Sequence, residues 1–337
     1  MRQRIPVPVL AMAAAAILVV APKALWAQSQ GGDASWTPPR TADGQPDISG
    51  VWTNFDPTPF EAPDDIDLER LAPLASWFPG SNRPQRASAM PASEEARRRP
   101  PQGPWGDGPG SAPRNARRTS MVVDPPNGRI PVRDHARATR DYNLIHLTDS
   151  YMNHTPWERC ITRGVPGGIF PPGYGAGYQI LQAPGYVVLI YEMIHEARII
   201  PIDGRPGVPG AVRQWNGVSR GRWEGNTLVV EVGNYNSRST IATNVGTRGA
   251  RGLPQTEDLR VVERFTLVDR DTLQYEVTVE DPAIYTSTWR VAMPLNRDES
   301  YQLYEYACHE GNYGLTNSLS AGRAEDREAA AAAGGGR

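Results

Sequence analysis

The chain has 337 residues and a formal net charge of -2, from 35 Lys plus Arg against 37 Asp plus Glu. That balance excludes a dedicated nucleic-acid binder, which carries a basic excess, and the length suits one large domain or two small ones. The 33 glycines and 32 prolines require long extended and turn segments, while 9 Trp and 13 Tyr against 5 Phe favour aromatics with a polar handle.

At the N-terminus Arg2 and Arg4 precede an apolar run from Pro8 to Ala21, and Ala27 stands before the polar Gln28-Ser29-Gln30. This order predicts a cleaved secretory signal over residues 1–27 and a periplasmic or secreted protein. The run is shorter than the roughly 20 apolar residues that span hydrocarbon, so no stable membrane span is expected after cleavage. Residues 28–118 are rich in proline and arginine, as in Arg97-Arg-Arg-Pro-Pro101. Prolines at that density disfavour helices and central strands. An extended arm is expected there, with one short strand near 47–55 and one helix over 64–75.

From residue 119 the texture changes to strands, and a β domain is expected over 119–320. Residues 120–132 read as a hairpin about Pro126-Asn127-Gly128, and 131–143 as a short helical connector. Further strands are expected at 178–181, 186–191, 197–202, 221–232 around a Gly-Asn turn, 259–267, 272–279, 289–293 and 302–306. Within 261–266, Val261, Glu263 and Phe265 should face one way, with Val262, Arg264 and Thr266 facing the other. No helix-period segment separates consecutive strands, so crossover-connected parallel sheets are excluded. The expected fold is all-β, an antiparallel meander closed as a barrel, with a two-sheet sandwich as the alternative. Residues 321–337 form an Ala/Gly-rich tail.

The two cysteines, Cys160 and Cys308, both fall in the predicted exported part. In an oxidising compartment two is the number that makes one bridge.

Several segments carry a resemblance. Thr41 to Trp52 fits the pattern Thr-Ala-Asp-Gly-x-Pro-Asp-(Leu/Ile)-Ser-Gly-Val-Trp. With Trp157-Glu-Arg-Cys160, Tyr191-Glu-Met-Ile-His195, Gly221-Arg-Trp-Glu-Gly-Asn-Thr-Leu-Val-Val-Glu231, Glu280-Asp-Pro282 and Tyr304-Glu-Tyr-Ala-Cys-His-Glu-Gly-Asn312, it resembles an uncharacterised family of exported bacterial proteins. The resemblance implies an exported β protein and no particular chemistry. Gly50-Val-Trp52 is also similar to the first-strand Gly-x-Trp of lipocalins, which implies a lipocalin-like barrel.

Five histidines are present. His195 and His309 each stand beside a carboxylate, which makes His309, Glu310, His195 and Glu192 the candidates for acid–base catalysis. In a regular strand Tyr191, Met193 and His195 would share a face. A bridge to Cys160 would bring His309 and Glu310 near Glu158 and Arg159. Arg159, Trp157, Tyr178, Tyr191 and Trp223 are candidate ligand-binding residues, offering one cation and several stacking faces. Such groups serve structure as often as chemistry. No His-x-His, His-Glu-x-x-His or Cys cluster points to a metal, and Gly173-Tyr-Gly-Ala-Gly177 lacks the Lys-Ser/Thr of a phosphate loop. No cofactor is expected.

Three functions stay open. The first is a barrel that binds a small amphipathic or aromatic ligand. The second is a cofactor-independent lyase, hydratase or hydrolase using His and Glu in the same cavity. The third is a structural envelope protein whose arm meets a partner. The oligomeric state is not legible.

Overall fold

Residues 36–56, 58–62, 120–172 and 174–334 are described by a computed structural model, and all but Trp36 fall in the unit Thr37–Arg337. The predicted signal sequence, the helix at 64–75, most of the arm and the last three residues lie outside the described residues.

Ten strands build one antiparallel sheet: β1 (Gly50–Thr53), β2 (Val122–Asp124), β3 (Gly177–Ala183), β4 (Tyr186–Tyr191), β5 (Ala197–Pro201), β6 (Val218–Glu224), β7 (Thr227–Gly233), β8 (Arg260–Asp269), β9 (Thr272–Glu280) and β10 (Trp289–Arg297). The order is β5-β4-β3-β1-β10-β9-β8-β7-β6, with β2 added to β10. The sheet curls into a nearly closed barrel; among the described residues two α-helices accompany it, α1 (Asp134–Ile145) between β2 and β3 and α2 (Gly314–Gly334) after β10. The predicted hairpins β3–β4, β6–β7 and β8–β9 form as expected.

Alternation sets the inner face. Val261, Glu263, Phe265 and Leu267 of β8 are buried, as are Leu273, Tyr275, Val277 and Val279 of β9. Phe265 is in register with Leu228 and Tyr275, and Tyr275 with Met293, so one buried row crosses four strands. Trp52, Tyr275, Phe265 and Leu189 are fully or almost fully buried. The barrel interior is therefore filled by side chains, as small barrels usually are.

The barrel's ends, β5 and β6, meet without a hydrogen-bonded ladder. Pro201 ends β5 without an amide donor, and the following segment adds Pro206 and Pro209. Side chains close this seam instead. Arg198 Nε of β5 donates to Ser219 Oγ of β6 at 2.9 Å. A Cβ on Gly221 of β6 would lie 2.7 Å from Ile202 Cγ2 and 2.9 Å from Ile200 Cγ2. Only glycine lets the two edges approach so closely.

Four sequence expectations are corrected. Residues 120–132 do not form a hairpin: β2 pairs with β10, and Val132 makes a bridge to Tyr285. The four residues of β1 cover β10 only at Asn296 and Arg297, leaving its first half an open edge that β2 takes at Arg290 and Val291. Pro294 falls in the gap between these two partners, where neither strand requires its amide. Residues 302–306 are not a strand, because β1 and β3 are already paired on both sides. They belong to an irregular strap running from the end of β10 to Cys308. Met193–His195 is a 3-10 turn with φ of 62° at Ile194 and 42° at His195, so it does not continue β4. Tyr191 and Met193 are buried while His195 is exposed. The C-terminal helix also begins well before the Ala-rich tail, at Gly314.

Candidate functional site

Segment 162–171 plugs the barrel end made by the C-termini of β1, β4 and β7. Val165, Ile169 and Phe170 are buried in it. Its carbonyls accept from barrel side chains: Ile169 O from Asn54 Nδ2 at 2.8 Å and Tyr178 Oη at 3.3 Å, and Val165 O from Tyr235 Oη at 3.1 Å.

Just before the plug, Thr155-Pro156-Trp157-Glu158 has the residue types of a capping box with proline in the first helical position. Glu158 Oε2 accepts from Thr155 N at 2.7 Å and Thr155 Oγ1 at 2.9 Å. One turn follows, in which the amides of Arg159, Cys160 and Ile161 donate to the carbonyls of Thr155, Trp157 and Pro156. It stops at Cys160, whose φ is 55°. Cys160 is bonded to Cys308 with the Cα atoms 5.6 Å apart, tying this turn to the strap.

Between the turn, the strap and the start of α2 lies an open cleft of about 890 Å³, lined in part by Trp157, Tyr174, Tyr306, His154, Glu158 and Arg251. Arg251 Nη2 donates to Glu158 Oε1 at 2.9 Å. Burial pushes the Glu158 carboxyl up, but the His154 ring, the Arg251 charge and the Thr155 donors outweigh it and hold the carboxyl at about 2. His154 Nδ1 stands 3.8 Å from Glu158 Oε2. His154 Nε2 and Trp157 Nε1 are both buried without a protein partner. Tyr174 Oη and Tyr306 Oη are 3.1 Å apart, and burial raises the Tyr174 hydroxyl.

Behind these aromatics sits Arg163, only 2% exposed. Its guanidinium is 5.7 Å from the Trp157 ring centroid, and its Nε and Nη2 have no acceptor among the described residues. Burial lowers its pKa, opposed in part by Tyr178, Tyr174 and Tyr306.

The sequence candidates scatter. Trp157 lines the cleft, and so does Glu310, which is exposed. His309 is exposed and is not among the lining residues. His195 is also exposed, with Nδ1 2.9 Å from the Tyr306 carbonyl. Glu192 accepts from Tyr301 Oη at 2.5 Å, which fixes the strap over β3. Arg159 turns away from the cleft onto the rings of Tyr151 and Trp215, at 5.7 and 5.9 Å. Tyr178 and Tyr191 are buried, packed edge to face at 5.8 Å, and burial pushes the Tyr191 hydroxyl up to about 12. Trp223 is half-buried on β6, its Nε1 buried without a partner. The disulfide thus gathers one Trp and two Glu, but not His309 or Arg159. His154, Arg163, Arg251 and Tyr306 are additions of the structure. The Thr-Pro-x-Glu signature was available in the sequence to mark the turn and give Glu158 its backbone role.

A second polar group lies inside the barrel. Arg198 pairs with Glu263 through both nitrogen–oxygen contacts, and Tyr275 Oη donates to Glu263 Oε1 at 2.9 Å. Burial opposes the Arg198 charge, yet Glu263 more than restores it and raises its pKa. None of the Arg198, Glu263 or Tyr275 side-chain atoms is among the buried unpartnered ones. Among the described residues no group of three or more His, Cys, Asp or Glu side chains is placed to hold a metal ion. None of their helices is long and apolar enough to cross a membrane.

No family model, no curated protein and no solved structure matches this chain.

Proposed function

We propose that this is an exported protein, periplasmic or secreted, that binds a small amphipathic or aromatic molecule in the cleft beside Cys160–Cys308. One observation carries the reading: an aromatic wall of Trp157, Tyr174 and Tyr306 stands next to two buried donors or acceptors, Trp157 Nε1 and His154 Nε2, that no atom of the described residues satisfies. Buried polar groups are nearly always matched, and a bound molecule with polar atoms on an apolar body would match these. The disulfide supports the export half, because such bridges persist outside the cytoplasm. The small-molecule reading assigns no role to nucleic acid, and the exported state needs no membrane span.

The test uses N-phenyl-1-naphthylamine, an uncharged fluorescent aromatic, titrated against the mature protein. Saturable binding that weakens about tenfold in Trp157→Ala and in Tyr306→Ala, with melting temperatures held, is the expected result. Binding unchanged in both variants removes the cleft as the site.

A cofactor-independent acid–base enzyme is the second reading. His154 beside the ionised Glu158 favours it, since a carboxylate near one ring nitrogen orients the other. Turnover lost in His154→Gln would mark that chemistry. The exposed His195 and His309 do not share the cleft wall, and Glu192 is engaged by Tyr301.

A further inference from the structure

Arginine cannot escape burial by losing its proton, so a buried guanidinium needs an anion. In this chain the rule is visible at Arg198, which faces Glu263. Arg140 likewise turns its Nε and Nη2 to Asp141 Oδ1, at 2.8 and 2.6 Å. Arg163 breaks the rule. It is 2% exposed, and no carboxylate among the described residues forms an ion pair or hydrogen bond with it.

The two orphaned atoms matter as a pair. Nε and Nη2 lie on the same edge of the guanidinium and present parallel N–H bonds, the fork that meets both oxygens of one carboxylate. Arg163 is not itself a lining residue of the cleft; it is reached through Trp157, which is. The Arg163 guanidinium lies 5.7 Å from the Trp157 ring centroid and feels the hydroxyls of the buried Tyr178 and of Tyr174 and Tyr306. Trp157, Tyr174 and Tyr306 line the cleft, and the Tyr174 and Tyr306 hydroxyls are 3.1 Å apart. The other guanidinium of the cleft, Arg251, is already engaged by Glu158. With one free fork, the match is to a monocarboxylate rather than to a phosphate dianion. Glu305 and Glu310 also line the cleft but are exposed, where water and salt screen them.

We propose that the cleft takes a small aromatic carboxylate, its ring against Trp157 and its carboxylate parting the Tyr174–Tyr306 hydroxyl contact to reach the Nε–Nη2 edge of Arg163. This rests on the ligand-binding reading above and adds the charge of the ligand.

The test is calorimetric titration of the mature, oxidised protein near neutral pH with 2-naphthoate and its neutral isostere 2-naphthamide. Wild type should bind the carboxylate at least about tenfold more tightly, the scale of a hydrogen bond to a charged group in a buried site. Arg163→Met should bind both equally, at the affinity of the amide. Ligand-free Arg163→Met should also melt several degrees above wild type, because an unmatched charge has been removed; a structural arginine would give the opposite shift. Equal binding of both compounds to wild type overturns the carboxylate assignment and leaves the cleft as a binding site. If neither compound binds wild type while N-phenyl-1-naphthylamine does, the assignment also falls and the cleft stands. If none of the three binds, the cleft reading falls with it. An Arg163→Met protein that melts lower or does not fold makes Arg163 a structural residue and overturns the proposal.

Discussion

At the scale of single residues, two glutamates near the plug hold opposite protonation preferences for reasons that can be counted. Around Glu196, Asn216 Nδ2 donates to Oε1, while Thr162 Oγ1 lies 2.7 Å from Oε2 and 2.9 Å from Asn216 Oδ1. The hydroxyl has one proton and the amide oxygen has none, so one contact in this ring lacks a donor unless Glu196 carries a proton. Turning the amide round moves the deficit without curing it. Burial acts in the same direction and raises the Glu196 pKa over the opposing effects of Thr162, Asn216 and Arg198. A raised folded pKa makes the contribution fully present below the unfolded value, about 4.3, and removes it as pH rises through the folded value. Glu158 is the reverse: its contribution is present above the unfolded value and lost as pH falls toward about 2. Glu196→Gln should therefore abolish a loss of stability on the way to neutral pH while leaving the acid limb in place. Urea midpoints of both proteins across pH check this, and a wild-type-to-variant difference that does not change with pH would remove the proton from Glu196.

Elements form where the chain satisfies its backbone groups locally, and the seam shows what happens where it does not. Hairpins β3–β4, β6–β7 and β8–β9 were legible because alternating apolar residues flank short turns such as Gly225-Asn226 and Arg270-Asp271. The β5–β6 junction has no such signal, since prolines interrupt it and side chains do the closing. Gly221→Val should cost about 1–3 kcal/mol, the usual range for overpacking, as its Cβ meets the branched methyls of Ile200 and Ile202. The urea midpoint should fall, and amide exchange should speed up first in β5 and β6. A change within about 0.5 kcal/mol, typical of free surface positions, would mean that the seam is not closed by this contact.

Over the whole molecule, the barrel and the cleft are held by different forces. Backbone ladders and the filled interior hold the barrel, whereas the strap is fastened by Tyr301–Glu192, Tyr174–Tyr306, His195 to the Tyr306 carbonyl, and the disulfide. A bridge across 148 residues contributes at most about 5 kcal/mol in the chain-entropy model. The double variant Cys160→Ser with Cys308→Ser should keep the far-ultraviolet circular dichroism of the barrel, melt lower, and bind N-phenyl-1-naphthylamine about tenfold more weakly because the strap no longer forms a wall. Undiminished binding would show that the wall stands without the bridge.

What the sequence by itself determined is what short-range chemistry encodes. Period-two alternation specified most strands and placed Glu263 on one face with Val261 and Phe265, and two cysteines specified one bridge. It missed in places where long-range competition decides. Residues 302–306 look like a strand, but β1 and β3 are already paired on both sides; residues 120–124 leave their expected hairpin for the open edge of β10, and His195 leaves the β4 face at a left-handed turn. The site was half legible: Trp157, Glu158 and Glu310 followed from the bridge, since a disulfide draws its flanking residues together. Only the tertiary structure decided that Arg163 is buried without a carboxylate partner among the described residues and that His154 and Arg251 meet Glu158. Neither fact has a local signature, because burial and charge pairing belong to segments that are distant in the chain and adjacent only after folding.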